Sequence, residues 1–400
     1  MQAQRWRIGG AVMVALMSAG VAVAQVTTEK SASVLVFPKV VADGTRDTVI
    51  QITNTSNSMV HAHCFYVNGA LTFPELSAGP LNPPLWTEVD FDIWLTKQQP
   101  THWVVSQGRL VNAADTPCSN TAMVMNPGAN AGGFGGMGFY GCNDAGLDPG
   151  RVPPVVEYFT GELKCIEVDP SGAPLSGNHL KGEATTTTFD VCRPSGSCAL
   201  TGTSCTTTAD CDENVSDVAK YNALGVIGNE NNDGDNVLCL GGEPSETCPN
   251  GAEYDACPQY WVADHFAEGA SADPASEVST TWTIVPCTQN FETQAPETVT
   301  IFIETWNEFE QSFSNFATVN CWDELSISDI NSATMSYDGL GTTFAQSRLR
   351  SSAQTPSGFL MVGNEAHSRP GVVASADVNY HVEGARSGTD LITIPAEQIN

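Results

Sequence analysis

The stretch Asp47–Asn68, DTVIQITNTSNSMVHAHCFYVN, decides how the rest of the chain reads. Thr48, Ile50 and Ile52 alternate with Val49, Gln51 and Thr53, which is the two-residue period of a strand with one buried face. Asn54–Ser58 (NTSNS) follows with short polar side chains that bond their own main chain and favour a turn. Val60, Ala62, Cys64 and Tyr66 then form the apolar face of a returning strand. The expectation is a β-hairpin closed at NTSNS. A second version starts at Glu297: ETVTIFIETWN sets Val299, Ile301 and Ile303 on one face, and SFSNFATVNCW returns to Cys321.

Outward from the first hairpin the same period recurs. Ala32–Val41 (ASVLVFPKVV) predicts an opening strand, with Pro38 tolerated at a bulge or sheet edge. TEVDFDIWL (Thr87–Leu95), HWVVSQGRL (His102–Leu110), GELKCIEVD (Gly161–Asp169), HLKGEATTTTFDV (His179–Val191) and VSTTWTIVPC (Val278–Cys287) continue it. Short strands separated by polar turns describe a sandwich or barrel. The run Ser216–Gly228 (SDVAKYNALGVIG) is the best helix candidate, with Val218, Tyr221 and Leu224 near helical spacing and a glycine at its end. GELKCIEVD…GNHLKGEA is echoed by GFLMVGNEA…VNYHVEGA, which together with the paired hairpins suggests a duplicated β unit.

The first 24 residues have a different character. Arg5 and Arg7 precede an apolar run from Ile8 that ends Ala22-Val23-Ala24, the pattern of a signal peptide cleaved before Gln25. The expected product is exported, periplasmic or extracellular, with no membrane span after cleavage. A formal charge of −29 repels phosphate, which excludes nucleic acid and anionic membrane surfaces as partners. All 13 cysteines follow the signal, so up to six disulfides with one thiol left over are expected. Cys192, Cys198, Cys205 and Cys211 contain no C-x-x-C knuckle and predict a local two-disulfide staple rather than zinc, its pairing left open. Cys118 and Cys142 are expected to close a glycine-rich loop over residues 118–154. That loop holds Gly133-x-Gly135-x-x-Gly138, a spacing that binds nucleotides only between a strand and a helix; neither flank qualifies.

With DTVIQITNTSN and ETVTIFIETWN, each leading to a cysteine, the chain resembles exported bacterial proteins built from tandem immunoglobulin-like sandwiches. The resemblance covers about half the chain and carries over no functional residues. It implies an all-β fold of two tandem immunoglobulin-like β-sandwich domains with a loop-rich, disulfide-bonded insertion. The expected boundaries are signal peptide 1–24, first sandwich 25–191, cysteine-rich insertion with a short helix 192–277, and second sandwich 278–400.

Few residues form a recognisable constellation. Asn229, Asn231, Asp233 and Asp235 precede or flank Gly234 in the first half of a calcium-loop pattern, although position one is Asn and position twelve is Leu240. These four are the candidate calcium ligands. His61 and His63 share a strand face and could begin a zinc or copper site, the ordinary alternative being solvent-facing histidines. Trp86, Trp94 and Trp103 could stack sugars, though large aromatics in sandwiches are more often core. The pairs Asp90/Asp92 and Glu304/Glu308 could serve glycoside cleavage, but 45 acids produce such pairs by chance. Asn54-Thr55-Ser56 matches an N-glycosylation acceptor. No G-x-S-x-G is present and no catalytic residue is assigned. The leading expectation is a non-enzymatic structural, adhesive or recognition protein whose partner is a cell-surface protein or glycan. A secreted hydrolase and a carbohydrate-binding module are the alternatives.

Overall fold

The period-2 stretches become strands throughout. A computed structural model describes residues 26–70, 85–109, 152–155, 158–192, 195–198, 200–211, 216–269, 277–295, 297–353, 357–369 and 372–395. The signal segment, Cys118, Cys142 and the Gly133–Gly138 motif lie outside these residues. The first half contains β1 (Val34–Ala42), β2 (Arg46–Asn54), β3 (Val60–Asn68), β4 (Thr87–Leu95), β5 (Pro100–Val104), β6 (Phe159–Val168), β7 (Leu180–Phe189), β8 (Ser216–Asn222) and β9 (Leu224–Val226). The second contains β10 (Val237–Leu240), β11 (Tyr260–Phe266), β12 (Glu277–Pro286), β13 (Gln289–Asn290), β14 (Thr298–Asn307), β15 (Ser312–Asn320) and β16 (Asp323–Ser326). After α1 (Ile327–Met335) and α2 (Tyr337–Leu340) come β17 (Phe344–Ser351), β18 (Phe359–Arg369), β19 (Val372–Val378), β20 (His381–Val382) and β21 (Asp390–Thr393). The fold is all-β.

β1 to β9 form one sheet that turns a corner between β1 and β2, where only Ala42 and Asp47 pair. One wing is β4-β3-β6-β1 with β9 against the start of β1; the other is β2 between β5 and β7, with β8 outside β7. The wings enclose Leu35, Phe37, Ile50, Ile52, Ala62, Tyr66, Phe91 and Trp103. The expected first hairpin is therefore corrected. Both strands exist, but β2 pairs with β5 and β7 while β3 pairs with β4 and β6, so NTSNS carries the chain from one wing to the other. Asn54 fixes that crossing. Its buried Nδ2 donates to the carbonyls of Ser58, Leu95 and Thr96, and its Oδ1 accepts from the Ser56 N–H. The same burial removes Asn54 as a glycosylation acceptor, because its amide nitrogen is already committed.

β1, β3 and β6 are buried along nearly their full length on both faces. Val34, Val36, Phe65, Val67, Ile166 and Val168 turn away from the first core and pack with Trp261, Trp282, Ile301 and Met361 of the second half. Sequence alternation identified only the face holding Val60, Ala62, Cys64 and Tyr66. The second half pairs a five-stranded sheet, β15-β14-β17-β11-β20, with a four-stranded one, β16-β12-β18-β19, around Val299, Ile301, Ile303, Leu349 and Ile284. β10, β21 and β13 make a small third sheet. The expected second hairpin is present, with β14 and β15 in unbroken register from Thr298–Asn320 to Trp306–Ser312. The two stretches that look alike in sequence thus connect differently, one a crossing and one a hairpin.

The expected helix over Ser216–Gly228 is a second correction: those residues form β8 and β9. Burial there alternates, with Ala219 and Tyr221 inward and Val218 and Lys220 outward, a period of two that the coincident helical spacing concealed. β8 completes the sheet beside the threonine-rich β7, and the Tyr221 hydroxyl donates to the Lys39 carbonyl at 2.7 Å while accepting from its N–H. That partner explains how Pro38 is tolerated. It lies at the register shift between Phe37 and Val40, and the Trp322 indole donates to its carbonyl at 2.7 Å. The expected insertion 192–277 accordingly supplies β8 and β9 to the first sheet and β11 to the five-stranded one.

The expected staple is present as two interlaced bridges, Cys192–Cys205 and Cys198–Cys211. Cys64–Cys165, Cys239–Cys248 and Cys257–Cys287 are also joined, and among the described residues Cys321 is a buried free thiol. Burial pushes the Cys321 thiol far above its ordinary range, with Glu162 adding to the effect. Among the described residues no helix is long and apolar enough to cross a membrane.

Candidate functional site

His61 and His63 occupy the doubly buried strand β3, and neither faces solvent. The register places Trp94, Asp92, Asp90 and Glu88 of β4 opposite His61, His63, Phe65 and Val67, all on one face. Contacts run diagonally: His61 Nε2 lies 2.8 Å from Asp92 Oδ1, and His63 Nε2 lies 3.0 Å from Asp90 Oδ2. His61 Nδ1 meets the Asp169 carbonyl at 2.9 Å, and Trp94 stacks on the ring with centroids 3.8 Å apart. Both nitrogens of His61 are therefore turned to protein oxygens rather than to an open position. Burial raises the Asp92 carboxyl, but the hydrogen bond from His61 and the charges of His63 and His61 outweigh it and hold it below the usual range. Asp90 and Asp92 thus serve these histidines rather than a glycosidic bond.

Glu88, beside this ladder, is pushed up to about 8 by burial and then by the neighbouring Asp90 charge. A raised carboxyl binds its proton more tightly in the folded than in the unfolded chain. The stability it contributes is complete below the ordinary value of 4.5 and is lost as pH rises through about 8. Glu88→Gln, which imitates the protonated form, is expected to melt like the parent near about pH 5 and several degrees higher near about pH 9. A melting difference that stays constant across this range would remove the assignment.

A second imidazole sits among hydroxyls. His265 Nε2 is 2.8 Å from Ser347 Oγ, which is 2.7 Å from Thr305 Oγ1. All three are fully buried, and burial pushes His265 down to about 4. No substrate reaches this serine, so the chain His265–Ser347–Thr305 ties β11, β17 and β14 together as a polar seam in the core.

Of the candidate calcium ligands, Asp233 Oδ1 accepts from the Asp235 N–H and Asp235 Oδ1 from the Val237 N–H, while Asn231 Nδ2 donates to the Ala252 carbonyl. Asn229 joins through its main chain, donating to the Glu253 carbonyl. These are nested turns of the kind Asn and Asp make with their own backbone. The fold also brings Glu253 beneath the loop, where it accepts from the N–H groups of Asp233 and Cys239. Burial raises its carboxyl, and the charges of Asp233 and Asp235 add to that. A cation role for Asn229, Asn231, Asp233 and Asp235 rests on the sequence pattern alone. The groups Cys198/Cys205/Cys211 and Cys257/Cys287/Asp390, close enough to hold a metal, have their sulfurs spent in disulfides.

Trp103 is buried with its indole N–H on the Tyr66 hydroxyl, Trp94 lies on His61, and Trp86 packs against the core. They form no exposed stacking platform. An exposed aromatic surface lies elsewhere, on the outward face of the five-stranded sheet. Cross-strand neighbours there run Phe316–Phe302–Arg350–Tyr260 and, two residues along, Ser314–Glu304–Arg348–Val262. Phe316 is 69% and Phe302 41% exposed. The Arg350 guanidinium lies 5.7 Å from the Phe302 ring centre, and that of Arg348 5.0 Å from Trp306. Beside them is a cleft of about 350 Å³ lined by Val262, Gln346, Arg348, His381, Val382 and Glu383. Sequence reasoning followed the inward face of β14 and passed over this one. The signal was there in the outward series Thr300, Phe302, Glu304, Trp306 and in two arginines spaced by two within a chain of only 16 basic residues.

The chain matches no family model and no curated protein. Among solved structures it aligns with a chain of the cowpea mosaic virus top component, naturally occurring empty particles. That alignment covers 95% of this chain and 100% of that one at 11% identity, with a TM-score of 0.15, a value at which the likeness says nothing about fold or function.

Proposed function

We propose that this is an exported recognition or adhesion protein whose outward five-stranded face binds a cell-surface glycan bearing carboxylates. The observation that carries the reading is the cluster Phe302, Trp306, Arg348 and Arg350 beside the Arg348–His381 cleft, on a chain whose net charge is −29. Aromatic rings offer flat apolar faces to sugar rings and guanidinium groups match carboxylates in a bidentate fork, here beside Glu304 across from Arg348 and Glu383 in the cleft. Five disulfides support folding in an oxidising compartment, which agrees with the signal-peptide pattern. Two sandwich units of immunoglobulin-like type act as a rigid frame that holds this face without a catalytic step.

Calorimetric titration with a uronic-acid oligosaccharide and with its neutral counterpart tests the reading. Saturable binding of the acidic sugar only, weakened about tenfold or more by Arg348→Ala, is the expected result. Equal affinity for both sugars, or binding indifferent to Arg348, would sink it.

A further inference from the structure

We infer that β15 is the seam of a symmetric dimer in which two copies join their five-stranded sheets edge to edge. β15 ends that sheet and runs nine residues, SFSNFATVN, with no charge, no proline and no break in its pairing to β14. The bonds from Asn307 N–H to Gln311 O and from Cys321 N–H to Glu297 O bracket the ladder. They fix the odd-numbered residues of β15 as those bonded to β14. The N–H and C=O groups of Ser312, Ser314, Phe316 and Thr318 consequently point out of the sheet edge, a row of donors and acceptors at strand spacing.

Among the described residues the other sheet edges are short or guarded, with β9, β10 and β13 no longer than four residues. β4 carries Glu88, Asp90 and Asp92; β5 is five residues long and begins with Pro100; β16 has four residues and includes Asp323 and Glu324. β20 is two residues long, and β8 is met by β19, where Asp217 accepts from the main chain and hydroxyl of Ser375. Among the described residues β15 is the long edge that lacks all of these protections.

The occupant is a second copy because the strand complements itself. Antiparallel pairing centred on Phe316 sets Ser314 against Thr318, Ser312 against Asn320 and Phe316 against its own counterpart. Every outward main-chain group then finds a partner, and the row Phe316–Phe302–Arg350 continues across the axis into its mirror. Charge does not oppose the choice along the strand itself: β15 carries none, its outward neighbours Phe302 and Arg350 are neutral and cationic, and Glu304, opposite Ser314, has Arg348 across from it on its other side. The inference does not depend on which ligand the outward face takes.

Sedimentation equilibrium of the oxidised full chain at tens of micromolar is expected to show a dimer. Phe316→Lys sets two ammonium groups facing each other on the axis and should weaken association about a hundredfold or more. Ser314→Pro deletes an N–H that β14 does not use and should act similarly. Both variants should keep the parental melting temperature measured on dilute monomer; if Ser314→Pro does not, Phe316→Lys alone decides. A monomeric parent, or a dimer that Phe316→Lys leaves intact, would overturn the inference, including in favour of a strand from another protein.

Discussion

Lys164→Met is expected to lower the unfolding free energy by about 3–5 kcal/mol, as removal of one member of a buried ion pair does. Lys164 is fully buried on the face of β6 turned toward the second half, with Nζ donating to Glu162 Oε2 at 2.6 Å and also to Gln289 Oε1. Gln289 Nε2 in turn donates to Glu162 Oε1, and the Phe291 ring centre lies 5.9 Å from the ammonium. Burial pulls the Lys164 ammonium below its ordinary range, and the Glu162 charge only partly restores it. Loss of the lysine leaves the fully buried Glu162 carboxylate with the Gln289 amide but without its charged donor, where water cannot replace it. Removing both charges together with the buried Gln289 amide that bonds them should recover most of the loss, since a well-packed apolar cluster often equals a buried ionic one. Urea unfolding of Lys164→Met and of Lys164→Met/Glu162→Leu/Gln289→Leu is the measurement. Equal losses in the two proteins would mean that packing alone, and not the stranded charge, set the effect.

The second large effect is expected at Cys64–Cys165. These residues are direct cross-strand partners between β3 and β6, and their sulfurs lie in the first core. The bridge spans 101 residues, and closing a loop of that length restricts the unfolded chain by about 4–5 kcal/mol. Cys64→Ala/Cys165→Ala should lose at least that much, because the two missing sulfurs also leave space in the first core. The Cys192–Cys205 bridge closes only 13 residues within a cluster made largely of the cysteines themselves. Its removal should loosen that cluster and barely move the main transition. If the two removals shift the main transition equally, the central position assigned to Cys64–Cys165 is wrong.

Much of the strand content was legible because side-chain alternation survives wherever one face meets water. β2 and β14 show it plainly, and their inward residues are Ile50, Ile52, Val299, Ile301 and Ile303 as expected. What alternation cannot carry is partner choice. NTSNS looks like a hairpin turn, yet the buried Asn54 amide reaches the carbonyls of Leu95 and Thr96, more than forty residues away, and turns the chain across the core. In the central strands the period itself vanishes. VHAHCFYVN is buried at every position, so His61 and His63 looked exposed until Asp92 and Asp90 arrived from β4. Ser216–Gly228 failed for a different reason: Val218, Tyr221 and Leu224 satisfy helical spacing by coincidence, and the hydrogen bonds between Tyr221 and the Pro38 bulge could not be foreseen locally. The outward face of β14 and β17 was readable in principle. It was missed because apolar outward residues break the inside–outside rule used to find strands.

A layer enclosed on both sides has a consequence for how the chain is born. Synthesis delivers β1, β3 and β6 before Trp282, Ile301 and Met361 exist, and those late residues cover half of that layer. Until they emerge, Phe65, Val67 and Ile166 stay bare on a nascent surface that sticks to its neighbours. Truncation after β9 should therefore yield a fragment that precipitates rather than a smaller working protein, as turbidity of the purified fragment would show.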